Sequence, residues 1–193
     1  MHALYINLDK RTDRRAEFEE ECEKMKLQVE RFPAITHPVP AIGCNRSHLE
    51  LIRRAKQEGW PCVFVFEDDF TFLVSREQFD SIVASFPEDY DVVMMDYYMI
   101  RKEPHNEMFD RVFEAQSTAG YVVHSRMYDR MIATYEEGVK LYEENPEYHW
   151  LYIVDQFWKR LQPVSRWYSS RVQIGKQRPG FSDLRGQFME NIY

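Results

Sequence analysis

The chain has no run of about 18 uncharged apolar residues, which excludes a membrane-spanning helix on sequence grounds. Its start, Met1 to Asp9, has no basic stretch leading into a long apolar segment, so no signal peptide is expected. Cysteine is scarce. Cys22, Cys44 and Cys62 are an odd, widely spaced set without a CxxC pair. That excludes a disulfide framework and a zinc site built from cysteine alone, and fits reduced thiols. Repeats, low-complexity tracts and internal linkers are also missing. Together these absences point to the cytoplasm, of a bacterium or of a virus's host cell.

What is present suits one compact domain over residues 1–193. Hydrophobic residues are 44% of the chain and aromatics 15%, enough for a full core. The net charge of -7 is uneven. Residues 159–185 carry seven basic residues against the single acid Asp183, so this segment is +6 and the remainder -13. Such a segment is either a local anion site or a solvated face.

Strand and helix patterns alternate along the chain. Residues 3–8 read as a short buried strand and 12–27 as a helix that Thr12 can cap, with Phe18, Cys22 and Met25 on one face. A strand at 28–35 ends among Pro33, Pro38 and Pro40. A helix at 46–58 has His48, Leu51, Ile52 and Ala55 on one stripe and closes at Gly59. The continuous apolar run at 62–66 is that of a central parallel strand. A helix begins at Ser75, and strands are expected at 91–95 and 119–124. Helices follow at 127–142 and 150–161, then strands at 164–168 and 171–174 and an irregular basic tail from Gly175. This alternation predicts an α/β fold with a mostly parallel central sheet, whose ligands bind beyond the carboxyl ends of the strands.

One strand ends in three acids. CVFVFEDDF places Glu67, Asp68 and Asp69 directly after five apolar residues. Neighbouring anions repel, so they need a cation or full solvation. Extended alternation would point Glu67 and Asp69 one way and Asp68 the other. Such carboxylates suit Mn²⁺ or Mg²⁺, which keeps positions open for phosphate oxygens. The same residues also suit a plain acidic turn.

YINLDKRTDRR at 5–15, IGCNRSHLELIRRA at 42–55 and VFVFEDDF at 63–70 occur in that order. STAGYVVHSR at 117–126 and VDQFW at 154–158 follow. In these motifs the chain resembles glycosyltransferase family 25, which includes lipopolysaccharide sugar transferases and collagen galactosyltransferases. The likeness spans nearly the whole chain. It implies a GT-A fold binding a nucleotide-diphosphate sugar, an Mn²⁺ requirement and inverting transfer of a hexose, galactose or glucose, from a UDP-sugar. The acceptor would be a hydroxyl on a saccharide, a lipopolysaccharide or a hydroxylysine. By position, Glu67, Asp68 and Asp69 match the acidic metal motif, with Glu where the family has Asp. Asp69 is the favoured direct ligand.

Other site candidates combine this likeness with local chemistry. Asn7 and Leu8 end the first strand where a donor base or ribose would be met, although Asn7 also suits an Asx turn. Arg14 could pair with a phosphate through its planar fork. Gly43 would permit a turn that a β-carbon would forbid. Ser47 is either a helix cap or a ligand contact. His48 is either a hydrogen-bonded core residue or a group that orders the acidic strand end. Asp155 falls off the buried stripe that Trp150, Ile153, Val154, Phe157, Trp158 and Leu161 define on its helix, and is the candidate base for the acceptor hydroxyl, with Asp96 as the alternative base or sugar contact. Arg178 in the basic tail is the candidate that closes over the diphosphate. A metal-dependent nucleotidyltransferase or phosphohydrolase could use the same acidic strand end, and so could an inactive nucleotide-sugar-binding module. Nucleic acid is not an expected partner, and oligomeric state is not legible.

Overall fold

The computed structural model describes residues 1–190. Its strands are β1 (Ala3–Asn7), β2 (Glu30–Pro33), β3 (Cys62–Glu67), β4 (Phe70–Phe72), β5 (Val92–Met94), β6 (Tyr98–Pro104), β7 (Phe109–Gln116), β8 (Gly120–His124), β9 (Trp167–Ser170), β10 (Gly175–Gln177), β11 (Gly180–Ser182) and β12 (Gln187–Met189). Its α-helices are α1 (Thr12–Lys24), α2 (Pro40–Gln57), α3 (Arg76–Ala84), α4 (Tyr128–Glu144), α5 (His149–Tyr152) and α6 (Val154–Phe157). Eight strands form one sheet in the order β2-β1-β3-β8-β5-β9-β7-β6. Only β8 and β7 run against the common direction, so the sheet is mostly parallel, as expected.

The uninterrupted apolar runs have a simple cause. Both faces of the sheet are covered, so both alternating sets of side chains are buried. In β3, Val63 and Val65 join Leu51 and Ile52 of α2 and Met131 and Tyr135 of α4. Phe64 and Phe66 point the other way, into a core with Phe18 of α1 and Phe79 and Ile82 of α3. Strand β5 repeats the division, with Val92 and Met94 on one side and Val93 and Met95 on the other. Two helices therefore sit on each face of the central strands. Among the described residues, no helix is long and apolar enough to cross a membrane.

Several expected elements shift. Helix α2 starts at Pro40, six residues before expectation, because a proline fits the first turn of a helix, where its missing N–H costs nothing. Arg11, rather than Thr12, holds the N-cap position of α1, and no side chain caps it. Ser75 does cap α3, in a full capping box with Gln78. Gly59 ends the turn after α2 at φ +68. The helix expected at 150–161 is broken. At Ile153 the backbone is extended (φ -60, ψ 142), and after α6 the chain continues as a 3₁₀ stretch through Val164. The strand expected at 171–174 is absent.

The basic tail is not irregular. Strand β10 pairs with β4, and β11 pairs with β12 as a hairpin. The tail's last residues, 191–193, lie outside the described residues. The β6–β7 hairpin was also not expected. Strand β6 is almost wholly exposed at the sheet edge, so it lacks the apolar signal used to find the others.

One aromatic ring locks the tail to the sheet. Phe70, buried, lies between Gly120 of β8 and Gly175 of β10. A β-carbon would sit 2.4 Å from the ring at Gly120 and 2.0 Å at Gly175. Gly120→Ala is therefore expected to cost about 1–3 kcal/mol by overpacking. Phe70→Leu in the same chain should reduce the added penalty, because the two sites share one contact. Urea denaturation of the single and double variants measures this. Equal penalties with and without Phe70 would refute the account.

Candidate active site

The carboxyl end of β3 lies between two neighbours. On one side is the end of β1. On the other is the start of β8, which runs antiparallel, with Phe66 opposite Gly120. Ser117 and Thr118, just before β8, therefore sit beside the acidic strand end. A cleft of about 650 Å³ opens there. Leu8, Arg14, Ser47, His48, Glu67, Asp68, Asp69 and Asp155 all line it.

The three acids do not alternate as extended chain would. The strand stops at Glu67, and Asp68 and Asp69 form a turn. Asp68 is thus brought to the same side as Asp69. Arg14 Nη1 bridges them, 3.0 Å from Asp68 Oδ1 and 2.9 Å from Asp69 Oδ2. Glu67 has its own partners. Its carboxylate accepts from the Thr118 hydroxyl at 2.6 Å and lies 3.3 Å from His48 Nε2. His48 is fully buried, and its Nδ1 is 2.8 Å from the Tyr121 hydroxyl.

The charges are unevenly compensated. Burial, followed by the charge of Glu67, pushes the Asp69 carboxyl up to about 7, and Arg14 offsets only part of this. Its Oδ1 is buried with no hydrogen-bond partner among the described residues. Burial also raises the Asp68 and Asp155 carboxyls and takes Asp96 to about 6. Burial opposes the Glu67 charge too, but the His48 and Thr118 contacts outweigh it and hold this carboxyl below its ordinary value. Asp155 enters the cleft from α6, and its Oδ2 accepts from the Ser117 backbone N–H at 3.3 Å. Ser117 has φ +89, a left-handed backbone that costs energy for a residue with a β-carbon.

Other sequence candidates fall differently. Asn7 is 1% exposed and acts as scaffold: its Nδ2 donates to Asp68 Oδ2 (2.7 Å) and to the Arg11 carbonyl, and its Oδ1 accepts from Arg31. Ser47 lies inside α2 and caps nothing. Its hydroxyl donates to the Gly43 carbonyl and accepts from the Ile35 N–H. Gly43 is required by close approach rather than by a turn, since a β-carbon would lie 2.5 Å from the Ile35 carbonyl. Asp96 is 1% exposed and bonded by the Ser117 hydroxyl, so it lies behind the cleft wall rather than at a position to meet an acceptor. Arg178 ties the tail to the acidic turn. Its N–H donates to the Asp69 carbonyl (2.7 Å) and its Nη2 to the Asp68 carbonyl (2.8 Å). Nη2 also lies 3.4 Å from Glu17 Oε2, while Nε is buried with no hydrogen-bond partner among the described residues. Other basic residues lining the cleft are Lys10, Arg11 and Arg185.

No protein-family model and no curated protein matches the chain. Solved structures do match. One is a glycosyltransferase involved in the glycosylation of the major capsid of PBCV-1, with a TM-score of 0.58 at 10% identity, over 94% of this chain and 93% of that one. Another is A197 from STIV, with a TM-score of 0.53 at 12% identity, over 100% of this chain and 95% of that one. The fold is glycosyltransferase-like, of the GT-A kind.

Residues that sequence reasoning missed include Thr118, Tyr121, Cys44 and Trp150. The first two lie in the 117–126 stretch, and Cys44 stands in the 42–55 motif. Trp150 was assigned to a buried stripe but is 52% exposed and lines the cleft, because the break at Ile153 turns α5 away from the core.

Asp69 generates a pH prediction. Its carboxyl is near 7 when folded and near 4 when unfolded, so between these values the folded state holds the extra proton. Stability of the metal-free protein should fall as pH rises through this window, by at most roughly 1.4 kcal/mol per pH unit from this group. Asp69→Asn removes that contribution. Urea midpoints at pH 5 and 7.5 should show a smaller drop for the variant, and an equal or larger drop would contradict the burial argument.

Proposed function

We propose that the protein is an inverting, metal-dependent glycosyltransferase that moves a hexose from a UDP-sugar to a hydroxyl acceptor. One observation carries this reading. Within a glycosyltransferase-like fold, a buried carboxylate with an oxygen that has no partner among the described residues, Asp69 Oδ1, stands at the lip of the central strand, and a second, half-buried acid, Asp155, lines the same cleft. The motif resemblance supports it independently.

The donor set fits a hard divalent cation. Asp69 and Asp68 offer carboxylate oxygens, Glu67 lies beside them, and Arg14 alone leaves the cluster anionic. Asp69, with Asp68, would hold Mn²⁺ or Mg²⁺, which when bound neutralises charge on a departing diphosphate. The chain's own residues do the remainder. Leu8, Ile35 and Pro40 give the cleft lining some of the apolar surface a nucleobase needs. Arg185 brings positive charge to the cleft where the phosphates would lie, and Lys10 stands beside it in the lining, paired with Asp183. Trp150 presents an exposed ring to the cleft, suited to the apolar face of a sugar. Asp155 takes the acceptor hydroxyl's proton as that oxygen attacks the anomeric carbon and the bond to the diphosphate breaks. Burial raises its pKa above the ordinary carboxylate value, which makes the carboxylate a stronger base. The acceptor class, a saccharide, a lipopolysaccharide or a hydroxylysine, follows from the motif resemblance.

UDP release from a panel of UDP-sugars, measured with Mn²⁺ and with chelator, tests the reading. One donor should turn over slowly with Mn²⁺, stop with chelator and stop in Asp69→Ala. Release of UMP in place of UDP would instead mark a nucleotidyltransferase or phosphohydrolase, and failure of UDP to bind at all with Mn²⁺ would overturn the proposal. Once an acceptor is found, Asp155→Asn should lower kcat at least about 100-fold with KM for the donor little changed. A variant with native kcat would remove Asp155 from the role of base.

A further inference from the structure

The acidic strand end faces a second set of donors that the glycosyl-transfer reading does not use. Cys44 and His48 are four residues apart on α2, so their side chains share one face of the helix, and that face meets Glu67 at the end of β3. One donor atom from each of Cys44, His48 and Glu67 lies within 4.8 Å of the other two. All three residues line the cleft.

The histidine is the decisive member. Its ring is 0% exposed, and its Nδ1 is occupied by the Tyr121 hydroxyl at 2.8 Å. Its Nε2 is buried, lies 3.3 Å from the Glu67 carboxylate, and has no hydrogen-bond partner among the described residues. A buried imidazole nitrogen left without a hydrogen bond is costly, unless a ligand takes its lone pair. The surroundings favour a positive ligand. The acids whose charges reach Cys44 are Glu67, Asp155, Asp69 and Asp68, and the nearby Arg14 is committed to the last two.

We infer that Cys44, His48 and Glu67 form a binding site for a borderline divalent transition metal of the zinc class, open to the cleft. A thiolate, an imidazole and a carboxylate are a zinc donor set, and a hard ion such as Mg²⁺ would not select the thiolate. Bonds of about 2.0–2.3 Å to a tetrahedral ion place its ligand atoms roughly 3.5 Å apart, so the three donors, within 4.8 Å of one another, need to close by about 1.3 Å at most. Three protein ligands leave the fourth position free toward the cavity. The outer partners are in place. Tyr121 on Nδ1 aims Nε2 at the ion, and the Thr118 hydroxyl holds Glu67 Oε1 at 2.6 Å. Binding releases the Cys44 proton to solvent and changes no oxidation state. The site is distinct from the hard-cation position at Asp69, and it stands whether or not the cleft transfers sugar.

The test uses untagged full-length protein, stripped with chelator and titrated with Zn²⁺ and Co²⁺. One equivalent of each should bind tightly at this site, any weaker equivalent at the Asp69–Asp68 position being lost in Asp69→Asn, and the Co²⁺ form should show a thiolate-to-metal charge-transfer band in the near ultraviolet. Cys44→Ser should lose that band and bind Zn²⁺ at least about 100-fold more weakly, beyond the loss typical of an outer-partner change. Asp69→Asn should keep both. Should Cys44→Ser fail to fold, Zn²⁺ protection of Cys44 from alkylation in the native chain, read by mass spectrometry with Cys62 as reference, gives the same information. A Co²⁺ complex without the thiolate band, native Zn²⁺ affinity in folded Cys44→Ser, or unchanged alkylation of Cys44 would each overturn the inference. None of these readouts involves a sugar donor, so the site and the glycosyltransferase reading fail separately.

Discussion

Four carboxylates, from Glu67, Asp68, Asp69 and Asp155, meet in one cleft, each buried or half-buried, and the need to hold them there shapes the structure around them. Like charges out of water repel strongly, so each requires a counter-charge, a hydrogen bond or a proton. Arg14 supplies the charge for Asp68 and Asp69, Asn7 a hydrogen bond for Asp68, Thr118 one for Glu67 and the Ser117 backbone one for Asp155. These partners come from β1, α1 and the approach to β8. The acidic motif thus pins three distant stretches of chain to one point. The compensation is incomplete at Asp69 and His48, and these are the positions where the cleft has chemistry left to offer.

The basic C-terminal segment finds its place through the same motif. Its charge suggested a flexible cover for an anion. Instead, Arg178 bonds the backbone carbonyls of Asp68 and Asp69, and β10 pairs with β4 directly after them. Arg11 and Arg14 donate to the Phe181 carbonyl, and Lys10 and Arg11 pair with Asp183. The tail is strapped across the site rim from both sides. Two glycines, Gly120 and Gly175, make room for the Phe70 ring on which this strap rests.

Much of the fold was legible because its central strands are buried on both faces. CVFVF and DVVMM can hardly be anything but strands between two helical layers, and the surrounding helices show their buried stripes. Elements lacking that signal were missed. Strand β6 is exposed along its length and pairs through backbone groups that carry no side-chain signature. The start of α2 at Pro40 was hidden because proline ends a strand as readily as it opens a helix. The break at Ile153 has no glycine or proline to announce it, and it reverses the role of Trp150 from core to cleft wall.

By itself, the sequence determined the α/β class, the position of the acidic triplet at a strand end and the clustering of motif residues near it, because these depend on local periodicity and order along the chain. The pairings were decided only by tertiary structure. The turn at Asp68 brings that side chain to the side of Asp69, Arg14 reaches both from another element, and Ser117 separates Asp96 from the cleft while Asp155 enters it. Cys44, His48 and Glu67 come together only because α2 crosses the end of β3. Such contacts join residues far apart in the chain, and their energies depend on burial and direction, which no local pattern encodes.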